Sequence, residues 1–233
     1  MSFDPLASDY EAWSPYNYVL GNPIRFVDPD GRRVDDIIEV DKGGDIVNIT
    51  RTEGDNIFID SESKALINLH DPSGADVEML TRKFDVGEQL FIPMARGEAE
   101  QMLAVAGTEP KDLLQNIIPW DGHLKVREMS INGNVADFPV QLAIKYDFES
   151  TIGFDEDGYF FEVEGMPIRF DDQNTFYNPS DAGQFLWGVW MQENTFSLKR
   201  SLWGANQNER SRGGDSDADQ RAIINGYNFN KNK

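Results

Sequence analysis

The sequence contains only two histidines, the side chains that most readily take up and release protons near neutral pH. His70 lies in a Leu-His-Asp-Pro segment and His123 follows Trp-Asp-Gly. A two-histidine ribonuclease needs both imidazoles at one phosphate, with Lys125 or Arg127 stabilising the charge of the phosphorane. Each histidine stands in a turn-like segment, so we expect both to be exposed turn residues, with His123 kept as a candidate catalytic residue.

Carboxylates offer a second chemistry, because the chain carries 41 Asp and Glu residues. A pair of them can hydrolyse a glycosidic bond, although sequence alone does not choose the pair. The chain has no cysteine, which excludes disulfides, thiolate catalysis and sulfur-ligated metals. Two histidines are too few for a histidine-rich zinc site, while a site of one or two histidines with carboxylates stays open. No metal ligand is therefore assigned, and the cofactor is unknown.

The charge is strongly negative and unevenly distributed. The net charge is −20 and the pI is about 4.3, so most of the surface repels a polyanion such as nucleic acid. Residues 199–233 hold seven basic and four acidic residues, which gives +3 and leaves −23 for residues 1–198. Nucleic acid is therefore a doubtful partner, but a local anion site near the C-terminus stays open.

The elements that must position these groups change in type along the chain. Short β-branched runs separated by Gly-rich turns predict a β meander with strands at 37–40, 45–49, 56–59 and 66–69. A helix is predicted at 96–107 and a short one at 109–117, followed by strands at 124–131, 138–148, 159–163 and 168–170. Three helices follow: one from Asn178-Pro179, one at 195–206, and one capped at Ser216 that Gly226 should end. We predict an α+β fold, β-rich over 35–177 and helical over 178–228.

Residues 1–34 carry a dense set of aromatic and turn residues. The segments are Phe3-Asp4-Pro5-Leu6, then WSPYNYV at 13–19, then GNPIRFVDPDG at 21–31. They resemble the C-terminal end of an RHS-repeat-associated core of the Bacteroidetes type. In that family the segment closes a β cocoon, and the polypeptide after it is usually a toxin. The family's self-cleavage uses paired Asp-Pro-x-Gly motifs, of which only 28–31 is present here. The resemblance implies a remnant at 1–34 followed by a toxin or effector domain at 35–233.

A second resemblance covers the helical end. Asp181-x-Gly183-Gln184-Phe185-x-x-Gly188, Trp203-Gly204-Ala205-Asn206 and Asp217-x-Asp219-Gln220-x-x-Ile223-x-x-Gly226 are similar to the end of polymorphic toxin type 44 domains, which typically have Asn in place of Gln184. It makes Asp181, Asp217 and Asp219 candidate catalytic residues. Candidate substrate-binding residues are Trp187, Trp203, Asn206 and Gln220. The alternatives are that the three aspartates cap helices and that the tryptophans belong to the core.

These resemblances imply a secreted polymorphic toxin or effector, a hydrolase acting on nucleic acid or cell-wall glycan. They also imply a cognate immunity protein and a secretion or contractile injection apparatus as partners. Residues 1–11 lack the pattern of a classical signal peptide, so we expect delivery from the bacterial cytoplasm without one. No apolar run reaches the roughly 18 residues of a membrane helix. The alternative is a non-catalytic cargo or binding protein of such an apparatus.

Overall fold

The computed structural model describes residues 36–52, 54–107, 126, 128–131, 133–155, 158–171, 173–208 and 216–229. They divide into two compact units, with the boundary between Ile92 and Pro93. Sheets dominate the first unit and helices the end of the second, which confirms the predicted α+β class. The predicted remnant at 1–34, the short helix at 109–117 and His123 lie outside the described residues.

The first unit is built on four short strands whose positions the sequence predicted within one residue. They are β1 (Asp36–Val40), β2 (Ile46–Thr50), β3 (Asn56–Asp60) and β4 (Leu66–Leu69), followed by helix α1 (Val77–Thr81). Within this unit the strand order is β2-β1-β3-β4. β1 pairs antiparallel with β2 but parallel with β3. The predicted meander is therefore wrong, because the chain crosses β1 between β2 and β3.

A buried carboxylate at the start of β1 holds this crossing. Asp36 is 1% exposed and accepts hydrogen bonds from the backbone N–H of Thr52 and, at 3.0 Å, from its hydroxyl. The backbone N–H of Asp36 donates to the carbonyl of Asp55 at 2.8 Å. The Lys83 ammonium lies 3.5 Å from the second carboxylate oxygen. The loop that carries the chain past β1 is thus tied to the strand that it crosses.

The second unit contains two small sheets and, besides a helical turn at 126–130, five helices among its described residues. Strand β5 (Ile92–Met94) begins at the last residue of the first unit, and the further strands of the second unit are β6 (Glu149–Asp155), β7 (Gly158–Glu164), β8 (Ile168–Phe170) and β9 (Thr175–Phe176). Its helices are α2 (Arg96–Ala106), α3 (Phe138–Tyr146), α4 (Pro179–Glu193), α5 (Leu198–Asn208) and α6 (Asp217–Phe229). β6 and β7 form an antiparallel hairpin, and β5 pairs with β8. The helix predicted at 96–107 and the three C-terminal helices are confirmed.

One predicted strand is helical instead, and so is the described part of a second. The run predicted as a strand at 138–148 forms α3, in which Pro139 occupies the first turn and Asp147 ends the helix with φ 55°. Proline is tolerated in a first helical turn but breaks the hydrogen bonding of a strand, and this outweighs the β-branched residues of the run. Near the strand predicted at 124–131, the N–H of Ser130 donates to the carbonyl of Val126, which is one turn of helix.

The predicted end of the last helix is also wrong, because α6 continues through Gly226 to Phe229. Gly226 is there for packing rather than termination. A Cβ at Gly226 would overlap the carbonyl oxygen of Phe185 in α4, and a Cβ at Gly188 would overlap that of Ile223. The two helices therefore pack backbone against backbone. Since 185 faces 226 and 188 faces 223, α4 and α6 run antiparallel.

Helix α4 is the centre of the second unit. Its residues from Asp181 to Met191 are buried except for Gln184, so the helix is enclosed on almost every side. Phe185 stacks on Phe170 of β8 with ring centroids 4.2 Å apart. Trp190 meets Phe138 of α3 edge to face. Neighbouring elements thus hold α4 along its whole length. Within the described ranges, no helix combines the length and apolar character needed to cross a membrane.

Candidate functional site

The N-terminus of α4 holds Asp181, the most deeply buried of the three candidate aspartates. Asn178 caps the helix, because its side-chain oxygen accepts a 2.9 Å hydrogen bond from the N–H of Asp181. The Asn178 amide in turn donates to Oδ2 of Asp181 at 2.7 Å. Asp181 is 3% exposed and lies in the first turn of α4, at the positive end of the helix dipole. The interpretation that Asp181 caps the helix is therefore wrong, because Asn178 is the cap and Asp181 lies inside the first turn.

A buried phenol lies in the electrostatic field of Asp181. Tyr177 is fully buried, and its hydroxyl accepts a 3.1 Å hydrogen bond from the side-chain amide of Asn225 in α6. Burial raises the pKa of Tyr177 to about 12, the Asn225 bond opposes the shift, and the negative charge of Asp181 adds to it. A hydrogen bond with Thr175 lowers the same pKa. We call Thr175, Tyr177, Asn178, Asp181 and Asn225 the Asp181 cluster.

The Asp181 cluster combines a carboxylate with a phenol that keeps its proton. A carboxylate can accept a proton from water, and a protonated phenol can donate one to a departing group. Hydrolysis by general acid–base catalysis can use two such groups in opposite protonation states. Asn225 is exposed and Thr175 half-buried, so this side of the cluster faces solvent. Sequence reasoning found Asp181 and missed its partners. Asn225 stands at an unspecified position of the type 44-like motif, so the sequence contains no signal for it.

Asp217 and Asp219 lie together in the first turn of α6. Asp219 forms a capping box with Ser216, whose Oγ accepts from the N–H of Asp219 at 3.0 Å. The Asp219 carboxylate accepts from the N–H and, at 2.7 Å, from the hydroxyl of Ser216. Asp217 is exposed. The alternative interpretation, helix capping, therefore accounts for the position of Asp219.

The structure does not bring these two aspartates to Asp181. Because α4 and α6 are antiparallel, Asp219 and Asp217 lie level with the C-terminal end of α4, about eleven and about thirteen residues from Asp181. At 1.5 Å per residue that is roughly 16–20 Å along the helix axis. The carboxylates of glycosidases lie about 5–9.5 Å apart. Asp181 therefore forms no such pair with either residue.

The histidines form no described pair. His70 follows β4 and is 7% exposed, so the expectation of an exposed turn residue is wrong for it. The loop after it is held by two of its own carboxylates. Asp71 accepts from the N–H of Ala75, and Asp76 accepts from the N–H of Asp71, which folds the segment into a compact turn. His123 lies outside the described residues.

Trp187 and Trp190 are buried in the core, whereas Trp203 lies on the surface. Trp187 is 5% exposed and donates from Nε1 to the Ser130 hydroxyl at 2.9 Å, and Trp190 donates to the carbonyl of Gly107 at 2.8 Å. Both belong to the core, so Trp187 is not positioned for substrate binding. Trp203 is 50% exposed, and the core interpretation is wrong for it. Asn206 is exposed one turn later in α5, and Gln220 is half-buried near the start of α6.

No group of three or more His, Asp or Glu side chains that could hold a metal ion occurs among the described residues. Comparison with protein-family models, with curated proteins and with solved structures finds no match for the chain.

Proposed function

We propose that this chain is a secreted polymorphic toxin or effector of the RHS-associated type, and that it is a hydrolase whose active centre is the Asp181 cluster. The observation that carries the choice of centre is the 3% exposed Asp181 carboxylate beside the fully buried hydroxyl-bearing Tyr177. The resemblance of residues 1–34 to an RHS core supports the class of protein. The charge of −20 supports a target other than long nucleic acid.

In the proposed reaction Asp181 accepts a proton from the attacking water, and Tyr177 donates a hydrogen bond or proton to the leaving group. Asn178 holds the carboxylate in one orientation through its 2.7 Å bond. Asn225 does the same for the phenol at 3.1 Å. Substrate reaches the cluster from the side of Asn225. The proposed substrates are cell-wall glycan and, second, nucleic acid.

The partners and the route of delivery belong to the same proposal. A toxin of this type requires a cognate immunity protein in the producing cell and a secretion or injection apparatus that carries it out of the bacterial cytoplasm. Both follow from the RHS resemblance.

A specific observation favours the second candidate function, a non-catalytic cargo or binding protein. Asp181 and Tyr177 are almost inaccessible, and each also has a structural role: Asp181 in the capped first turn of α4, and Tyr177 in linking α4 to α6 through Asn225. A protein that acts only by binding needs these bonds for its stability and needs no access to them.

The test is bacterial killing by the full chain, expressed with and without a periplasmic export signal. Asp181→Asn keeps the size of the side chain, and Asp217→Asn is the matched control, since it makes the same change on an exposed residue. We expect Asp181→Asn to abolish killing with a Tm close to wild type, and Asp217→Asn to retain it. Killing by folded Asp181→Asn protein would contradict the proposed centre. Harmlessness of the wild-type chain in both compartments would favour the cargo function.

A further inference from the structure

The outer side of α5 differs in charge from the rest of the chain. Helix α5 has two basic residues and no acidic one, whereas the whole chain carries 41 acidic residues against 21 basic. Its inner side is fixed by Ser201 and Ala205, which are 0% and 5% exposed. Its outer side exposes Lys199, Arg200, Trp203 and Asn206, which we call the α5 face.

These four residues form one continuous patch. At 100° per residue they fall within an arc of about 120° on the helix, with the cations one turn before Trp203 and Asn206 one turn after it. Trp203 is 50% exposed, although a large aromatic side chain is usually well buried. The adjacent Gly204 lies against the buried ring of Trp187, where a Cβ would sit 3.8 Å from it. The exposed ring therefore projects from a helix that is packed firmly on the core.

The chemistry of the α5 face fits an acidic sugar chain. An indole ring offers a flat apolar surface with a polar edge, on which the apolar face of a sugar ring can lie. An amide such as Asn206 both donates and accepts hydrogen bonds, as sugar hydroxyls require. Lys199 and Arg200 offer charged hydrogen bonds to a carboxylate. Dense polyanions are disfavoured by the net charge of −20, whereas a glycan with one carboxylate in every two sugars is repelled much less.

We infer that the α5 face binds an anionic glycan, of the kind found in peptide-free cell-wall strands of alternating amino sugars, one of which carries a carboxylate. This inference rests on the proposed function for its biological setting. It deepens that function, because it names glycan rather than nucleic acid as the substrate class. The binding itself uses a helix other than the one that carries Asp181, so it is measured without any assay of killing.

The test is calorimetric titration of the full chain with three probes: a peptide-free cell-wall hexasaccharide, a chitin hexasaccharide that lacks the carboxylates, and an eight-nucleotide oligo(dT). We expect the acidic hexasaccharide to bind most tightly at low salt. Trp203→Ala should weaken both hexasaccharides by about tenfold or more. Replacing Lys199 and Arg200 by Gln should remove the preference for the acidic one and leave chitin binding unchanged. Lys42→Gln, which removes an exposed charge in the first unit, is the matched control.

Three results would overturn the inference: no binding of either hexasaccharide at millimolar concentration, equal affinity of folded Trp203→Ala and wild type, or tighter binding of oligo(dT). The last would identify the α5 face as a single-strand nucleic-acid surface. Glycan binding by a chain that kills no cell would contradict the toxin proposal and leave the glycan surface in place. Killing by a chain that binds no glycan would support the toxin proposal and contradict the glycan surface.

Discussion

Asn178 and Asp181 exchange two hydrogen bonds across the first turn of α4, one to the backbone N–H of Asp181 at 2.9 Å and one to its carboxylate at 2.7 Å. One side chain therefore caps the helix and fixes the orientation of the acidic group. This couples the stability of the central helix of the second unit to the geometry of the proposed active centre. A change at Asn178 should consequently affect both folding and activity, whereas a change at Asp181 can separate them.

Asn178→Ala removes the cap of α4, and we expect it to lower the free energy of unfolding by about 1 kcal/mol. Urea denaturation followed by circular dichroism measures this. Asp217→Ala is the control, because Asp217 is exposed and in the first turn of a helix that Ser216 and Asp219 cap. Its effect should stay below about 0.5 kcal/mol. Equal losses in the two variants would show that the Asn178 cap adds nothing to stability.

Replacing glycine by alanine should have opposite effects on stability at two positions, one where α4 and α6 approach closely and one in α2. Gly226→Ala places a Cβ on the carbonyl oxygen of Phe185, so the helices must separate, at a cost of about 1–3 kcal/mol or more. Gly97→Ala lies in the first turn of α2 with nothing near the new Cβ, and should raise stability by about 0.5–1 kcal/mol. Thermal denaturation of both variants compares the signs. A Gly226→Ala variant as stable as wild type would contradict the backbone contact.

The glycines also show how far sequence reasoning reaches. The strands of the first unit and the three C-terminal helices could be predicted, because apolar periodicity and capping residues are local signals. Gly226 was misinterpreted as a helix end because a packing glycine and a terminating glycine are the same residue type. The parallel β1–β3 pair was missed for a related reason. A turn sequence predicts that the chain reverses direction, but it does not predict on which side of β1 the next strand pairs.

The candidate site was predictable only in part. Asp181 was identified through a resemblance, but its partners Tyr177 and Asn225 are 48 residues apart and meet only through the packing of α6 on α4. No local pattern encodes that contact. The same packing places Asp217 and Asp219 at the opposite end of the helix pair, so three residues that share a motif in sequence do not share a site.

The crossing between β2 and β3 depends on the buried carboxylate of Asp36. Asp36→Ala leaves the Thr52 N–H and hydroxyl without their acceptor and should cost about 2–3 kcal/mol of unfolding free energy. Asp36→Asn keeps an oxygen that accepts both bonds and should cost clearly less. Urea titrations of the two variants give the comparison. Equal destabilisation would mean that the charge, through Lys83 at 3.5 Å, matters more than the hydrogen bonds to Thr52.

Two tyrosines with raised pKa values predict how stability changes in alkali. Burial raises the pKa of Tyr177 and of Tyr146 from 10.0 to about 12 in the folded chain. Below pH 10 both the folded and the unfolded chain keep these protons. Between pH 10 and 12 the unfolded chain releases them first, so the stability that they contribute is lost as the pH rises through this window. Each tyrosine adds a slope of at most about 1.4 kcal/mol per pH unit.

Replacing each tyrosine by Phe should flatten this loss, and the two variants should differ near neutral pH. The Tyr177 hydroxyl is bonded to Asn225, so Tyr177→Phe should cost about 1 kcal/mol at pH 7. The buried Tyr146 hydroxyl has no hydrogen-bond partner among the described residues, so Tyr146→Phe should be neutral or stabilising there. Urea denaturation from pH 7 to 11.5 tests both effects. A wild-type profile parallel to that of Tyr177→Phe above pH 10 would show that this phenol is not held protonated by its burial beside Asp181.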